Sequence, residues 1–393
     1  MPNIAFLVQR IGPYHHARLN ALAAVAGFRV TAIEFRLDEK VNSWDSVRAD
    51  GKYSRIQVRT RPEMRRALEG IGTDVVVCTG YSDAEVHFAM SWALRRGVPR
   101  VTCSDSNYED DPRTLLKESL KRRVVSAFDS ALVAGRRSRD YIKRLGLKEA
   151  QCFEPWDVVD NDHFTSGADA ARSRAEVERE RLALPERYFL CVARFVPQKN
   201  LGGLIEAYAG YSVQTGSDAW SLVLSGSGPL EDALRRQVAA AGVADRVHFP
   251  GFLGYTELPG YFGLASAFVL PSKSDQWGLV VNEAMAAGLP VLVSSKCGCA
   301  PDLVLDGENG FTFDPDTVSS LHLRLVRMAQ LGRREREKMG ARSREIVAAY
   351  SPAAFARGLS LAVASAVQRA GRRAPLQSRI MLGLLGSRGT GGS

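Results

Sequence analysis

Short runs of apolar residues recur along the chain with helix-length segments between them. Residues 4–8, 29–33, 75–78, 100–103 and 131–133 are apolar on both faces, as strands buried in a parallel sheet are. Segments 14–26, 84–96, 113–128 and 137–145 fill the gaps as helices. Strand alternating with helix predicts a doubly wound α/β domain. The alternation lapses over the charged stretch 169–181, which ends at Leu184-Pro185. It resumes with strands at 188–193, 222–225, 247–250, 267–270 and 291–294, and helices at 201–211, 230–241, 256–264 and 280–287. Two domains follow, each with its own sheet and with a cleft between them. Their boundary lies between Asp160 and Pro185, which gives an expected division into 1–165 and 166–350. Past Asp314-Pro315 the chain is helical to about Gln368, and 351–369 is expected to pack back on the N-terminal domain. Residues 370–393 read as a basic flexible tail, with a short amphipathic helix over 376–385 as the alternative.

Composition supports two soluble domains. The chain has 393 residues, 45% of them hydrophobic, and a mean hydropathy of −0.13, which exceeds one ordinary core and fits neither a disordered nor a membrane-spanning protein. Apolar runs such as 268–271 and 279–281 fall far short of the roughly 20 residues of a membrane helix. The N-terminus reads directly as a strand, without a basic leader. Six cysteines are spread thinly, most of them in or beside apolar runs. Cys297-Gly298-Cys299 is too tight for a zinc knuckle and no His or Cys cluster completes it. A reduced, cytoplasmic compartment is expected.

The net charge of +9 is uneven. Between Arg113 and Lys148 eleven Lys/Arg face three acids, and from Arg369 onward there are five Arg and no acid. Two cationic patches therefore sit on an otherwise mildly acidic chain. They suit a phospholipid surface, a nucleic acid or an anionic substrate, or else are solvated helix faces. No interleaved aromatics or nucleic-acid motif accompanies them, so no nucleic-acid partner is expected.

The most informative stretch is Pro271-Ser-Lys-Ser-Asp275-Gln-Trp-Gly278-Leu-Val-Val-Asn-Glu283-Ala-Met-Ala-Ala-Gly288-Leu-Pro290. It follows a strand and opens a helix, the place where α/β domains bind ligands. Backbone N–H groups near Gly278, Leu279 and Val280 would point at an anion, helped by the helix dipole. Asp275 stands before the turn and Glu283 one turn inside the helix. Carboxylates repel a phosphate, so their natural partners are hydroxyls, such as those of a sugar.

Here the sequence resembles glycosyltransferase family 4. Asp275-x7-Glu283 with the following Ala-Met-Ala-Ala-Gly-Leu-Pro is similar to that family's E-x7-E signature. Other segments agree in order: Arg194-x4-Lys199-Asn200 resembles R-x4-K-N, and Gly226-Ser-Gly228-Pro229 resembles G-x-G-P. Phe249-Pro-Gly251-Phe252 resembles the loop that meets the base, and Asp306-Gly307-Glu-Asn309-Gly310 the D-G-x-N-G segment. Trp156-Asp157-Val-Val159-Asp160 with Phe164 resembles the N-G-V-D-x4-F linker entry. The likeness covers about 1–359 and is stronger in the C-terminal half.

The resemblance implies the GT-B fold, two facing Rossmann-like doubly wound domains: an acceptor-binding N-terminal domain and a nucleotide-sugar-binding C-terminal one. It implies a retaining glycosyltransferase with a UDP- or GDP-sugar as donor substrate, a sugar or lipid-linked acceptor, and neither metal nor other cofactor. Arg194 and Lys199 would neutralise the departing diphosphate, and Glu283 would accept from ribose hydroxyls. Gly278, Leu279 and Val280 would present N–H groups to phosphate, with Gly226 in the adjoining turn. Phe252 would lie near the base or in the core. Asp275 would hold hydroxyls of the transferred sugar; the family usually has Glu there, one methylene longer. After the first strand only Gly12 is carried over of the family's glycine pair. His15 or His16 would touch acceptor or donor, or else cap or pack. Where relatives place a catalytic-site His this chain has Ser104-Asp105-Ser106-Asn107; Asp105 would bond a sugar hydroxyl or stabilise the anomeric centre, or cap the next turn. The biology implied is surface-polysaccharide or glycolipid assembly, in the cytoplasm or peripherally on the inner face of the plasma membrane. A rival reading is a non-catalytic GT-B subunit that binds a nucleotide sugar or a partner enzyme.

Overall fold

Apolar strands such as Val75-Val-Val-Cys78 and Phe189-Leu-Cys191 bury both faces only if helices cover both sides of a parallel sheet. The computed structural model shows this twice. It describes residues 1–25, 27–35, 51–110, 114–369 and 374–387. Arg113 of the expected cationic helix and residues 370–373 and 388–393 of the expected tail lie outside the described residues. The chain divides into one unit of Met1–Val158 with Pro352–Ser393 and a second of Val159–Ser351.

The first unit runs β1 (Asn3–Val8), α1 (Pro13–Ala24), β2 (Arg29–Glu34), β3 (Ser54–Gln57), α2 (Arg61–Gly70), β4 (Val75–Thr79), α3 (Ala84–Arg96), β5 (Arg100–Ser104), α4 (Leu115–Val125), β6 (Ser130–Val133), α5 (Arg136–Arg144) and β7 (Cys152–Phe153). Its seven strands lie in the order β3-β2-β1-β4-β5-β6-β7, with every recorded pairing parallel.

The second unit runs α6 (Asn161–Ser173), α7 (Ala175–Leu182), β8 (Tyr188–Val192), α8 (Leu201–Thr215), β9 (Ser221–Ser225), α9 (Glu231–Ala240), β10 (Val247–Gly251), α10 (Leu258–Leu264), β11 (Ala267–Leu270), α11 (Leu279–Ala286), β12 (Val291–Ser294), α12 (Ala300–Leu303), β13 (Gly310–Phe313), α13 (Val318–Gln330) and α14 (Arg333–Val347). Its strand order is β10-β9-β8-β11-β12-β13. The chain then returns to the first unit as α15 (Pro352–Gln368) and α16 (Leu376–Ser387).

Three features depart from the sequence expectation. Three strands escape the sequence reading: β7 has two residues, and β3 and β13 mix polar or glycine positions with apolar ones. The division falls after Val158 rather than after residue 165: the Asp160 carboxylate accepts from His163 N–H (3.2 Å) and starts α6, whose Phe164 and Ala168 are buried within the second unit. Residues 376–387 are helix α16, packed on α3 and α4 through the buried Leu382, and not a flexible tail. The stretch Arg333–Gln368 contains a window of mean hydropathy 1.4. It breaks into two helices across 348–351, and Phe355, Leu359, Ala362 and Val363 of α15 are buried in the first unit.

Candidate functional site

In a doubly wound sheet the crevice opens where neighbouring strands send their chains to opposite faces. In the second unit that point lies between β8 and β11, which pair at Phe189/Ala267 and Leu190/Phe268. The loop after β8 carries Arg194 and Lys199, and the loop after β11 carries Asp275 and Gly278. The structure brings these loops together: Lys273 N–H donates to Gln198 O (2.8 Å), and Lys199 Nζ forms an ion pair with an Asp275 carboxylate oxygen. Ser272 Oγ lies 3.4 Å from the same oxygen. Lys199, expected to face phosphate, is thus held by Asp275, expected to face sugar. Arg194 is exposed and has no ion pair among the described residues.

Gly278, at φ +99°, caps the N-terminus of α11. The geometry of a first turn leaves the N–H groups of Leu279 and Val280 without intrahelical acceptors. Glu283 lies in the next turn, 2% exposed. Burial pushes the Tyr255 phenol up, and the charges of Asp160 and Glu283 add to that. Tyr255 stacks on His163 at 4.1 Å with 7° between the rings, and His163 Nε2 bonds Tyr255 O (3.0 Å). This aromatic pair beside Glu283 was missed in the sequence. Its only signal was an aromatic three residues past Phe252, which is itself 54% exposed and outside the core.

The turn after β9 closes on the first loop. Phe195 N–H donates to Ser227 O (2.8 Å) and Leu230 N–H to Phe195 O (3.1 Å). Gly226, at φ +139°, leaves 1.8 Å between the position of a Cβ and Ala193 O, so only glycine fits. Behind the Asp275 loop stands Cys297-Gly298-Cys299. Gly298 N–H donates to Asp275 O (2.9 Å) and Cys299 N–H to Trp277 O (3.0 Å). A Cβ on Gly298 would lie 1.7 Å from Gln276 O. This turn, read in the sequence only as a failed zinc motif, is the backing of the acidic loop. Trp277 Nε1 donates to Asn282 Oδ1 (2.9 Å), tying that loop to α11.

In the first unit Gly12 caps α1, with Pro13 following at the first helical position. Ile11 N–H donates to Glu34 Oε1 (2.7 Å), and Arg55 and Gln57 donate to Glu34 Oε2. Glu34, fully buried, therefore fixes the Gly12 loop; nothing in its sequence context marked it. His16 commits one ring nitrogen to Tyr53 Oη (3.1 Å) and the other to Asn20 (2.8 Å). His15 lies against Trp156 (5.8 Å), its Nδ1 shielded and without a hydrogen-bond partner among the described residues. Burial, reinforced by Arg18, pushes the His15 pKa down to about 3. Arg18 itself is buried. It reaches Asp157 (3.3 Å) and donates twice to Val158 O, with its guanidinium 4.3 Å from the Trp156 ring centre. Asp105 is half-buried, and its charge supports that of Arg18.

Residues 173–346 match the model of the family Glycosyl transferases group 1. A GDP-mannose-dependent alpha-(1-6)-phosphatidylinositol monomannoside mannosyltransferase of Mycobacterium tuberculosis is 34% identical over 215 residues, 51% of this chain and 54% of that one. The alpha-D-kanosaminyltransferase of Streptomyces kanamyceticus is 29% identical over 268 residues, 66% of this chain and 67% of that one. The chain spans little more than half the length of the first of these. Among solved structures, sucrose-phosphate synthase from Thermosynechococcus elongatus superposes with a TM-score of 0.72 at 20% identity, covering 92% of this chain and 98% of that one. Anabaena HepE in complex with UDP and glucose gives 0.71 at 16% identity, covering 93% and 100%. The two parallel-sheet units are those of the GT-B fold.

Proposed function

We propose that this protein is a retaining glycosyltransferase that moves a sugar from a nucleoside-diphosphate sugar to an acceptor hydroxyl. The observation that carries the reading is the meeting, at the β8/β11 crevice, of Arg194, Lys199, Asp275 and the N-terminus of α11 with Glu283 buried one turn further in. The family match over that unit and the mannosyl- and kanosaminyltransferase relatives support it. GDP and UDP are both represented among the similar proteins.

The diphosphate lies on the N–H groups of Leu279 and Val280, with Arg194 and Lys199 neutralising it, so the chain's own cations take the place of a metal ion. Glu283 accepts from the ribose, with Tyr255 and Phe252 on the same loop toward the base. Diphosphate competes with Asp275 for the Lys199 ammonium, and its arrival turns Asp275 over to the hydroxyls of the transferred sugar. The bond from the anomeric carbon to the phosphate oxygen breaks, and its electron pair leaves with the diphosphate. The acceptor oxygen then bonds that carbon from the same face and passes its proton to the departing phosphate oxygen. We place the enzyme in the cytoplasm, in glycolipid or surface-polysaccharide assembly; its six cysteines are free and buried.

The test is a calorimetric panel of UDP, GDP and their sugar conjugates, followed by release of nucleoside diphosphate. One base binds, Glu283→Ala loses that binding, and Asp275→Ala keeps it while losing turnover. Binding without turnover in the parent chain would favour the non-catalytic subunit. Indifference to every nucleotide would overturn the reading.

A further inference from the structure

The acidic loop has an anchor that the transfer chemistry does not use. Residues 271–278 join β11 to α11, and Lys273 and Gln276 of this run are exposed. Trp277, its one large apolar side chain, is buried. A buried indole N–H needs an acceptor, and the fully buried Asn282 of α11 supplies it through Oδ1 at 2.9 Å. The indole also packs on Tyr350, with 5.5 Å between ring centres and 35° between ring planes, a separation at which aromatic pairs attract. A tryptophan ring offers the reaction neither charge nor proton. What it can offer is a fixed place for the loop that carries Asp275.

Tyr350 stands in the 348–351 break between α14 and α15, beside Ser351, the last residue of the second unit. The break is itself held. Tyr350 N–H donates to Val347 O (2.8 Å), and Asn161 Nδ2, two residues after the chain enters the unit at Val159, donates to the same oxygen (3.0 Å). The entering and leaving stretches of chain are thus clasped on one carbonyl, and the ring beside that clasp bears on the acidic loop. The helix next to the loop is secured separately. α11 packs on α6 and α14, and its far end is gripped by Thr165 Oγ1, which donates to Ala286 O (2.9 Å), and by Arg172, which donates to Ala287 O (2.6 Å). Loosening the ring contact therefore frees the loop of Asp275 and leaves Leu279, Val280 and Glu283 in place.

We propose that Trp277 and Tyr350 are positioning residues for the transferred sugar: their ring contact sets the place of the Asp275 carboxylate and leaves the nucleotide contacts alone. The inference rests on the glycosyltransferase reading and deepens it. The test uses the full chain, whichever of UDP and GDP it binds, and the sugar conjugate it turns over. Tyr350→Ala lets the loop drift, and a drift of about 1 Å costs about a hundredfold in release of nucleoside diphosphate. The same variant binds the bare nucleoside diphosphate as the parent does, which also shows that it folds. Tyr350→Phe, which keeps the ring, recovers most of the rate. Trp277→Leu repeats the loss, and adding Tyr350→Ala to it costs little more, because the two rings act as one unit. Turnover in Tyr350→Ala equal to the parent's would overturn the inference. So would a loss of bare-diphosphate affinity in step with turnover, or losses that multiply in the double variant. In each of those cases the parent still transfers sugar, and the glycosyltransferase reading stands. A parent that turns over no nucleotide sugar overturns that reading, and this inference with it.

Discussion

The turn behind the acidic loop makes a demanding test of the site, because one methyl group disturbs it. Gly298→Ala places a Cβ 1.7 Å from Gln276 O, 2.6 Å from its carbonyl carbon and 3.2 Å from Trp277 Cα. All of these are backbone atoms, so the Asp275–Trp277 strand of the loop must move by more than 1 Å to reach ordinary contact. Overpacking of this kind costs about 1–3 kcal/mol. The shift also strains the bonds from Gly298 N–H to Asp275 O and from Cys299 N–H to Trp277 O, at about 1 kcal/mol each. A total of about 3–5 kcal/mol lowers the melting midpoint of a unit this size by roughly 6–20 °C. Displacing the Asp275 loop by about 1 Å also costs about a hundredfold in turnover. Scanning calorimetry and nucleoside-diphosphate release measure the two effects. Gly307→Ala is the control: its φ of +84° strains an alanine, but no atom lies within 4 Å of the new Cβ. It loses about 1–2 kcal/mol and leaves turnover alone. A Gly298→Ala chain that melts within a degree of the parent and turns over normally would refute the assignment of this turn as the support of Asp275.

Two further outcomes are expected. His15 is held neutral, with its pKa near 3 in the folded chain against 6.5 unfolded. Between those values only the unfolded chain takes up the proton, so stability present above pH 6.5 is lost as pH falls. At pH 5 the loss is about 2 kcal/mol. Urea unfolding at pH 7.5 and 5 shows that loss shrinking in His15→Gln; an unchanged difference would mean that His15 titrates normally. With Arg194, Lys199 and the N–H groups of α11 proposed to supply the positive charge, transfer is expected to persist after dialysis against EDTA. A rate that vanishes and returns with Mn²⁺ would contradict this.

The two sheets were legible in the sequence because each buried strand is apolar on both faces and each helix between them is long enough to carry a period. β7 has two residues, while β3 and β13 mix polar or glycine positions with apolar ones and lack the continuous apolar run of the other strands. The division falls earlier than the sequence suggests because α6, which straddles residue 165, buries Phe164 and Ala168 within the second unit, a contact its local pattern does not assign. Order and spacing located the loops of the site, since a motif is a local property. Pairings between loops are not: Lys199 and Asp275 are 76 residues apart, and each had been assigned a ligand of its own. Glu34, Tyr255 and Gly298 act through neighbours that only the fold supplies. The ring nitrogens of His16 likewise meet Tyr53 and Asn20, partners that its position in the sequence does not announce.

The route of the chain has a consequence for its synthesis. The first unit is interrupted by the whole of the second, and its β6 waits for a partner far downstream: Ser130 Oγ donates to Ala362 O across 232 residues. At about 5–20 residues per second a ribosome needs roughly 10–50 s to cover that distance. During that time the second unit is complete and free to fold, while the first exposes the apolar ground on which α15 will lie. The domain begun first is therefore the one finished last, and the closing helix sets when the newborn protein stops presenting a sticky surface to the cell.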